Sequence, residues 1–201
     1  MFIILFMPKQ SNEKSQQRRQ LIFDDAIKCF KANGLNKASM RNIAEEAGVS
    51  LGNLYQYFPD KASLIKHFII ETNAEVEEVY APLSGPFPLK LVMKEIVKGY
   101  IESLSQEDET AIIYEIFIAG LRDSEVMAII REHYIEEQVL ANKLQQAEQD
   151  KRVKLPAGAQ ATASAIIAVI ENNALKIQLQ ESFTVKQAVK DSWQVIDLLL
   201  V

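Results

Sequence analysis

The chain has one cysteine, Cys29, so no internal disulfide framework holds it together. A lone thiol suits a reducing compartment, and a cytoplasmic location is expected. Two histidines, His67 and His133, with no Cys pair and no His-x-x-x-His spacing, make no metal-ligand pattern, and no cofactor is expected. No nucleophile beside a base and no phosphate-cradling glycine loop stands out, which argues against an enzyme. Strand alternation, hairpin signals and internal repeats are missing as well, so the expected fold class is all-α. Met1 to Met7 is apolar but short, without the preceding positive charge or small-residue cleavage site of a signal peptide. Met7 offers a second translation start, and no membrane association is expected.

What is present is an uneven distribution of charge. The 201 residues carry 22 Lys and Arg against 27 Asp and Glu, a net charge of −5, with 24% charged and 48% apolar residues. Those are ordinary values for a globular protein. Through Lys66, however, ten basic residues face six acidic ones, whereas the remainder has twelve against twenty-one. A basic head on an acidic body fits a protein that offers one end to phosphates.

Within the head, Ser39 to Lys61 reads as two short helices joined by a tight turn. Ser39 is placed to cap the first, and Ile43, Ala44 and Ala47 give it an apolar face. Gly48 supplies the left-handed backbone a helix exit favours, and Val49 plugs the corner. Ser50 caps a second helix that runs from near Leu51 to about Phe58, where Pro59 stops it. Leu54 and Phe58 share its inner face, leaving Leu51, Gly52, Asn53, Tyr55, Gln56 and Tyr57 outside. Two outward aromatics on so small a helix call for a partner. This is a helix-turn-helix pattern, whose second helix enters the DNA major groove.

The run Ile43-Ala-Glu-Glu-Ala-Gly-Val-Ser50, followed by Gly52-Asn-Leu-Tyr-Gln-Tyr-Phe-Pro-Asp-Lys61, resembles the DNA-binding domain of the tetracycline-repressor (TetR) family over about residues 15–66. The resemblance implies that Arg41, Leu51, Gly52, Asn53, Tyr55 and Gln56 approach base edges. Amides suit adenine, and Tyr55 and Leu51 suit thymine methyls. Ser39, Tyr57 and Lys61 would hold phosphates; Tyr57 packed flat on the head, or Lys61 merely solvated, are the alternatives. Asn53 stands where many members carry Thr or Ser, and Leu51 where a polar residue is common.

Around this motif, residues 1–14 are expected to be a flexible arm that either reaches DNA or merely solubilises. Residues 15–60 form the DNA-binding domain and 61–201 a helical ligand-binding and dimerisation domain, about nine helices in all. The first helix runs from about Ser15 to Asn33, with Ile22, Phe23, Ala26, Ile27 and Phe30 inward and Gly34 ending it. Three helices make a small core, marginal by itself, that leans on the larger domain. Asp60 caps a long fourth helix, to about Tyr80, which links head to body. Ala81 to Pro88, with three prolines and a glycine, is the strongest punctuation in the chain.

Helical patterns continue at about 89–104, 108–121, 124–149, 157–181 and 184–200. Thr184 and Gln187 have capping-box spacing. From Ala159 to Ile170 the pattern is apolar nearly all round, so that helix needs cover on two sides. With the last helix, which carries Val185, Val189, Trp193, Ile196 and Leu200 along one side, it would make a four-helix homodimer interface. Two heads related by a two-fold axis would read a palindromic operator in double-stranded DNA.

The resemblance further implies an apolar effector pocket between the middle helices, taking a small apolar or amphipathic molecule. Tyr100, Tyr114 and Phe117 are candidate walls. Glu115, the one charge in its run, either binds a cationic partner inside or, as preferred, lies on a wet face. The expected function is a ligand-responsive repressor. The alternative is a DNA-bound module that recruits another protein and has a solid body without a pocket.

Overall fold

The computed structural model describes residues 9–105 and 107–201, with side chains described outside 9–13 and 107–110. Expectations for residues 1–8, including the Met1 to Met7 stretch, lie outside the described residues. Among the described residues ten α-helices and one 3-10 turn follow in order: α1 Lys9–Asn33, α2 Met40–Glu46, α3 Leu51–Tyr57, α4 Lys61–Tyr80, the turn Ala81–Ser84, α5 Leu89–Leu104, α6 Glu107–Gly120, α7 Ser124–His133, α8 Glu136–Gln149, α9 Ala159–Leu179 and α10 Val185–Leu199. No strand occurs among the described residues. The helix α1 begins at Lys9, within the stretch expected as an arm. From there to Gln20 the residues are polar, without glycine or proline to interrupt a helix.

Local chemistry accounts for most boundaries. Ser39 Oγ accepts from the Asn42 amide at 3.2 Å while Asn42 Oδ1 accepts from the Ser39 amide at 3.0 Å, a reciprocal cap on α2. Ser50 Oγ caps α3 through the Asn53 amide at 3.2 Å, and Asp60 Oδ1 caps α4 through the Ser63 amide at 2.7 Å. Gly34 and Gly48 end α1 and α2 at φ of 76° and 60°, where a side chain would be strained. Thr184 Oγ1 accepts from the Gln187 amide at 3.2 Å to begin α10.

One boundary has a tertiary cause. The pattern from 124 to 149 is two helices, α7 and α8, because the chain turns extended at Tyr134. Asn73 of α4 donates to the freed His133 carbonyl at 2.5 Å, and the Tyr134 hydroxyl is drawn to Glu136 at 3.0 Å.

Among the described residues the buried apolar side chains form two clusters. One joins the head, including Ile22, Phe30, Ile43, Leu54 and Phe58, to the N-terminal half of α4 and to Ile112, Ile116, Val126 and Ile130 of α6 and α7. The other joins Val76 and Tyr80 of α4 to α5, α8, α9 and α10. The head therefore leans on α6 and α7 as well as on the linking helix. Arg19 adds a cation over the Phe58 ring, 4.8 Å from its centroid.

Candidate nucleic-acid interface and effector cavity

The helix α3 is held by its inner side: Leu54 and Phe58 are fully buried. On its outer side Gly52 and Gln56 are exposed, and Tyr55 is 46% exposed. Asn53 is half-buried, and its amide nitrogen lies 3.4 Å from Gln56 Oε1, so the two amides stand side by side. Arg41 and Ser39 are exposed at the start of α2. Leu51 and Tyr57 are less outward than expected. Both are half-buried and pack against the head cluster, because a seven-residue helix resting on a small core covers its own flanks.

Lys61 is also placed differently from a free point charge. Its ammonium donates to the Leu35 carbonyl at 2.7 Å, and burial lowers its pKa, with Cys29 opposing. One of its three N–H groups is thereby committed to the α1–α2 turn. Cys29 is buried in that core, its thiol pKa raised first by burial, and it acts as a small apolar side chain.

Behind the head, a cavity of about 840 Å³ opens between α4 and α5, lined by apolar residues such as Phe68, Val79, Leu91 and Ile96. A smaller inner space of about 70 Å³ shares Phe68, Thr72, Val76, Tyr100, Leu104 and Ile113 with it. Tyr100, Tyr114 and Phe117 line the inner space, as does Tyr134, whose ring meets Phe117 edge to face with centroids 5.4 Å apart.

Glu115 is not brought to this cavity. Nor does it lie on a wet face: it is half-buried and accepts a hydrogen bond from the Leu35 backbone amide. Gly34 permits the approach, since a Cβ there would sit 3.1 Å from the carboxylate. The partner that satisfies Glu115 is a main-chain donor, which no charge pattern in the sequence reveals. Together with Lys61, Glu115 fixes both polar groups of Leu35, tying α6 and α4 to the turn before the helix-turn-helix.

A carboxylate that does line the inner space is Glu136, only 4% exposed. Tyr80 and Tyr134 donate to it at 3.1 and 3.0 Å, and Tyr100 donates as well. Burial first, then the charge of Glu136, raises the pKa of all three phenols, so they remain O–H donors. Glu171 of α9 lines the same space. Its pKa is raised by burial and then by the nearby charge of Glu136. The periodicity of α8 carries the signal for Glu136, which falls on the buried line of Leu140, Leu144 and Ala147.

The family model of tetR-family bacterial regulatory proteins matches residues 22–68, the segment from α1 into α4. Residues 22–68 thus carry a DNA-binding domain of the TetR type. Among TetR-family relatives, the HTH-type transcriptional regulator AcrR of Shigella flexneri is 27% identical over 128 residues, 63% of this chain and 60% of that protein. The aligned stretch thus spans less than two thirds of that relative's length. Two solved structures extend the likeness of fold to most of the chain. GusR of Salmonella enterica superposes with a TM-score of 0.76 at 21% identity, covering 92% of this chain and 95% of GusR. FadR of Bacillus subtilis, solved with stearoyl-CoA, gives 0.71 at 20% identity, covering 90% and 97%.

Proposed function

We propose that the chain is a homodimeric DNA-binding repressor whose hold on a palindromic operator is released by a small molecule in the cavity between head and body. The observation that carries this reading is the outer face of α3. Gly52, Tyr55 and Gln56 are exposed there beside Asn53, on a helix whose opposite side is anchored by fully buried Leu54 and Phe58. Gly52 lets the helix approach closely, the amides match the donor and acceptor of adenine, and Tyr55 packs on thymine methyls. Arg41 and Leu51 would flank the bases. Ser39 and Tyr57, with the N–H groups Lys61 has free, would take phosphates.

Dimerisation through α9 and α10 is supported by what they leave bare. Leu175, Leu179, Val195 and Leu198 are 40%, 71%, 44% and 76% exposed. Ala161 and Ala168 continue the open side of α9. A second copy would cover that surface. Val185, Val189, Trp193, Ile196 and Leu200, expected at the interface, instead pack against the body's own core.

An effector is supported by the cavity, which a body built only to recruit protein has no use for. FadR of Bacillus subtilis, of the same fold, holds stearoyl-CoA, and the apolar walls here suit an apolar portion of a ligand. Because α4 lines the cavity and begins at the helix-turn-helix, a ligand that favours one setting of α4 would shift the spacing of the two heads. Selection of bound DNA from a random pool tests the reading. An inverted repeat with half-sites about one turn or more apart is the expected result; enrichment of no sequence, or of a single unrepeated site, would defeat it.

A further inference from the structure

The charge lining the cavity, which no property of its fold dictates, carries information about the ligand. The outer opening is bordered by Glu71, Glu75, Glu78 and Glu95, and the inner end holds Glu136 and Glu171. Among the described residues lining either space there is no Lys, Arg or His. Glu71 lies near His67 and Gln20, with His67 Nε2 at 3.4 Å and Gln20 Nε2 at 3.3 Å. Glu136 is different, because it is buried and its three hydrogen-bond donors are neutral phenols. Phenols orient a carboxylate without neutralising it. A buried negative charge without a countercharge is costly, and a second carboxylate beside it raises the cost.

Resting on the reading of this cavity as the effector site, we propose that its ligand is an amphipathic organic cation, with its positive end at Glu136 and Glu171 and its apolar portion in the outer cavity. The aromatic faces around the inner space, Tyr100, Tyr114, Phe117 and Tyr134, are the surfaces on which a cation is stabilised. The inner space of about 70 Å³ suits a small charged group and the outer one of about 840 Å³ an apolar body. The pKa of Glu171, raised first by burial and then by Glu136, agrees, since an arriving cation offsets both the burial of the charge and the repulsion between the carboxylates. Anions of comparable size meet carboxylates at both ends and are rejected, so selection is built partly from repulsion.

Three probes with one apolar chain separate charge from hydrophobicity: octyltrimethylammonium, octyl sulfate and octanol, each titrated calorimetrically into the full-length protein well below its micellar concentration. The ammonium is expected to bind about tenfold or more tightly than either of the others. Glu136→Gln and Glu171→Gln are each expected to weaken the ammonium about tenfold and leave octanol unchanged. The first keeps an acceptor for the phenols. The second alters a half-buried side chain, and an unchanged melting temperature confirms its fold. Equal or tighter binding of the sulfate or octanol, binding of none of the three, or ammonium binding untouched in both folded variants would each overturn the cation site. Carboxylate-dependent ammonium binding that leaves operator affinity unchanged would instead establish the site and defeat the proposed switch.

Discussion

The two hydrophobic clusters of this molecule are built differently. The body cluster is self-sufficient in kind: long helices, α5, α8, α9 and α10, close on one another and on the end of α4. The head cluster is not. Its helices α2 and α3 have seven residues each, and it is completed by Ile112, Ile116, Val126 and Ile130 from α6 and α7. The inner cavity lies where the two meet, lined by Ile69, Ile116 and Ile130 of one cluster and Val76 of the other. A molecule placed there touches both cores at once. Small changes at such a seam are converted into movement because packed cores resist continuous deformation.

The sharpest way to break this comparison is Ile116→Ala, a truncation in α6 that should destabilise the head. A loss of about 2–5 kcal/mol is expected in urea unfolding, with operator binding failing at lower denaturant than in the parent. If unfolding is unaffected, the head does not depend on α6. A second change separates recognition from both cores. Gln56→Ala should weaken operator binding by about 1–3 kcal/mol in a fluorescence titration, leaving the melting curve in place because the side chain is exposed. Loss of stability in parallel would mean that α3 is part of the core rather than a reading surface.

Smaller effects probe the tie between the regions. Glu115→Ala leaves the Leu35 amide without its acceptor, and about 1–3 kcal/mol of stability should go with it. Glu115→Gln, which keeps an acceptor, should recover most of that in the same unfolding assay. The smallest effect expected concerns His67, packed edge-on against Phe23 at 4.6 Å. Burial, then Arg19, lowers its pKa, with Glu71 opposing. The unfolded chain therefore takes up this proton first. Stability contributed by neutral His67 is fully present above its unfolded pKa of about 6.5, and falls as the pH drops from there toward the folded value. His67→Phe should flatten the slope of stability against pH below about 6.5; an unchanged slope would assign the acid sensitivity elsewhere.

How much of this was legible in the sequence depended on the range of the interactions involved. Ser39, Ser50, Asp60, Thr184 and the glycines at 34 and 48 act on backbone within a few residues, so their roles were readable from spacing alone. The break between α7 and α8 was not, because Asn73, 60 positions away, holds the His133 carbonyl. The place of Glu115 and the tether on Lys61 are hidden for a related reason: both meet the main chain of Leu35, 80 and 26 positions distant. A side chain that binds backbone leaves no complementary residue type to look for. Glu136 escapes notice because an unbroken helix over 124–149 leaves it one acid among several polar residues in mid-helix, although the apolar line running on from it marks the side it faces.

A sensor of this kind has three adjustable properties: what it detects, what it reads, and how strongly the first moves the second. Under the proposed switch, detection belongs to the carboxylate-lined cavity and reading to α3, while the gain rests on the peptide groups of Leu35, gripped by Glu115 from one side and Lys61 from the other. Exchange at either grip would reset responsiveness while leaving the recognised compound and the recognised sequence as they are.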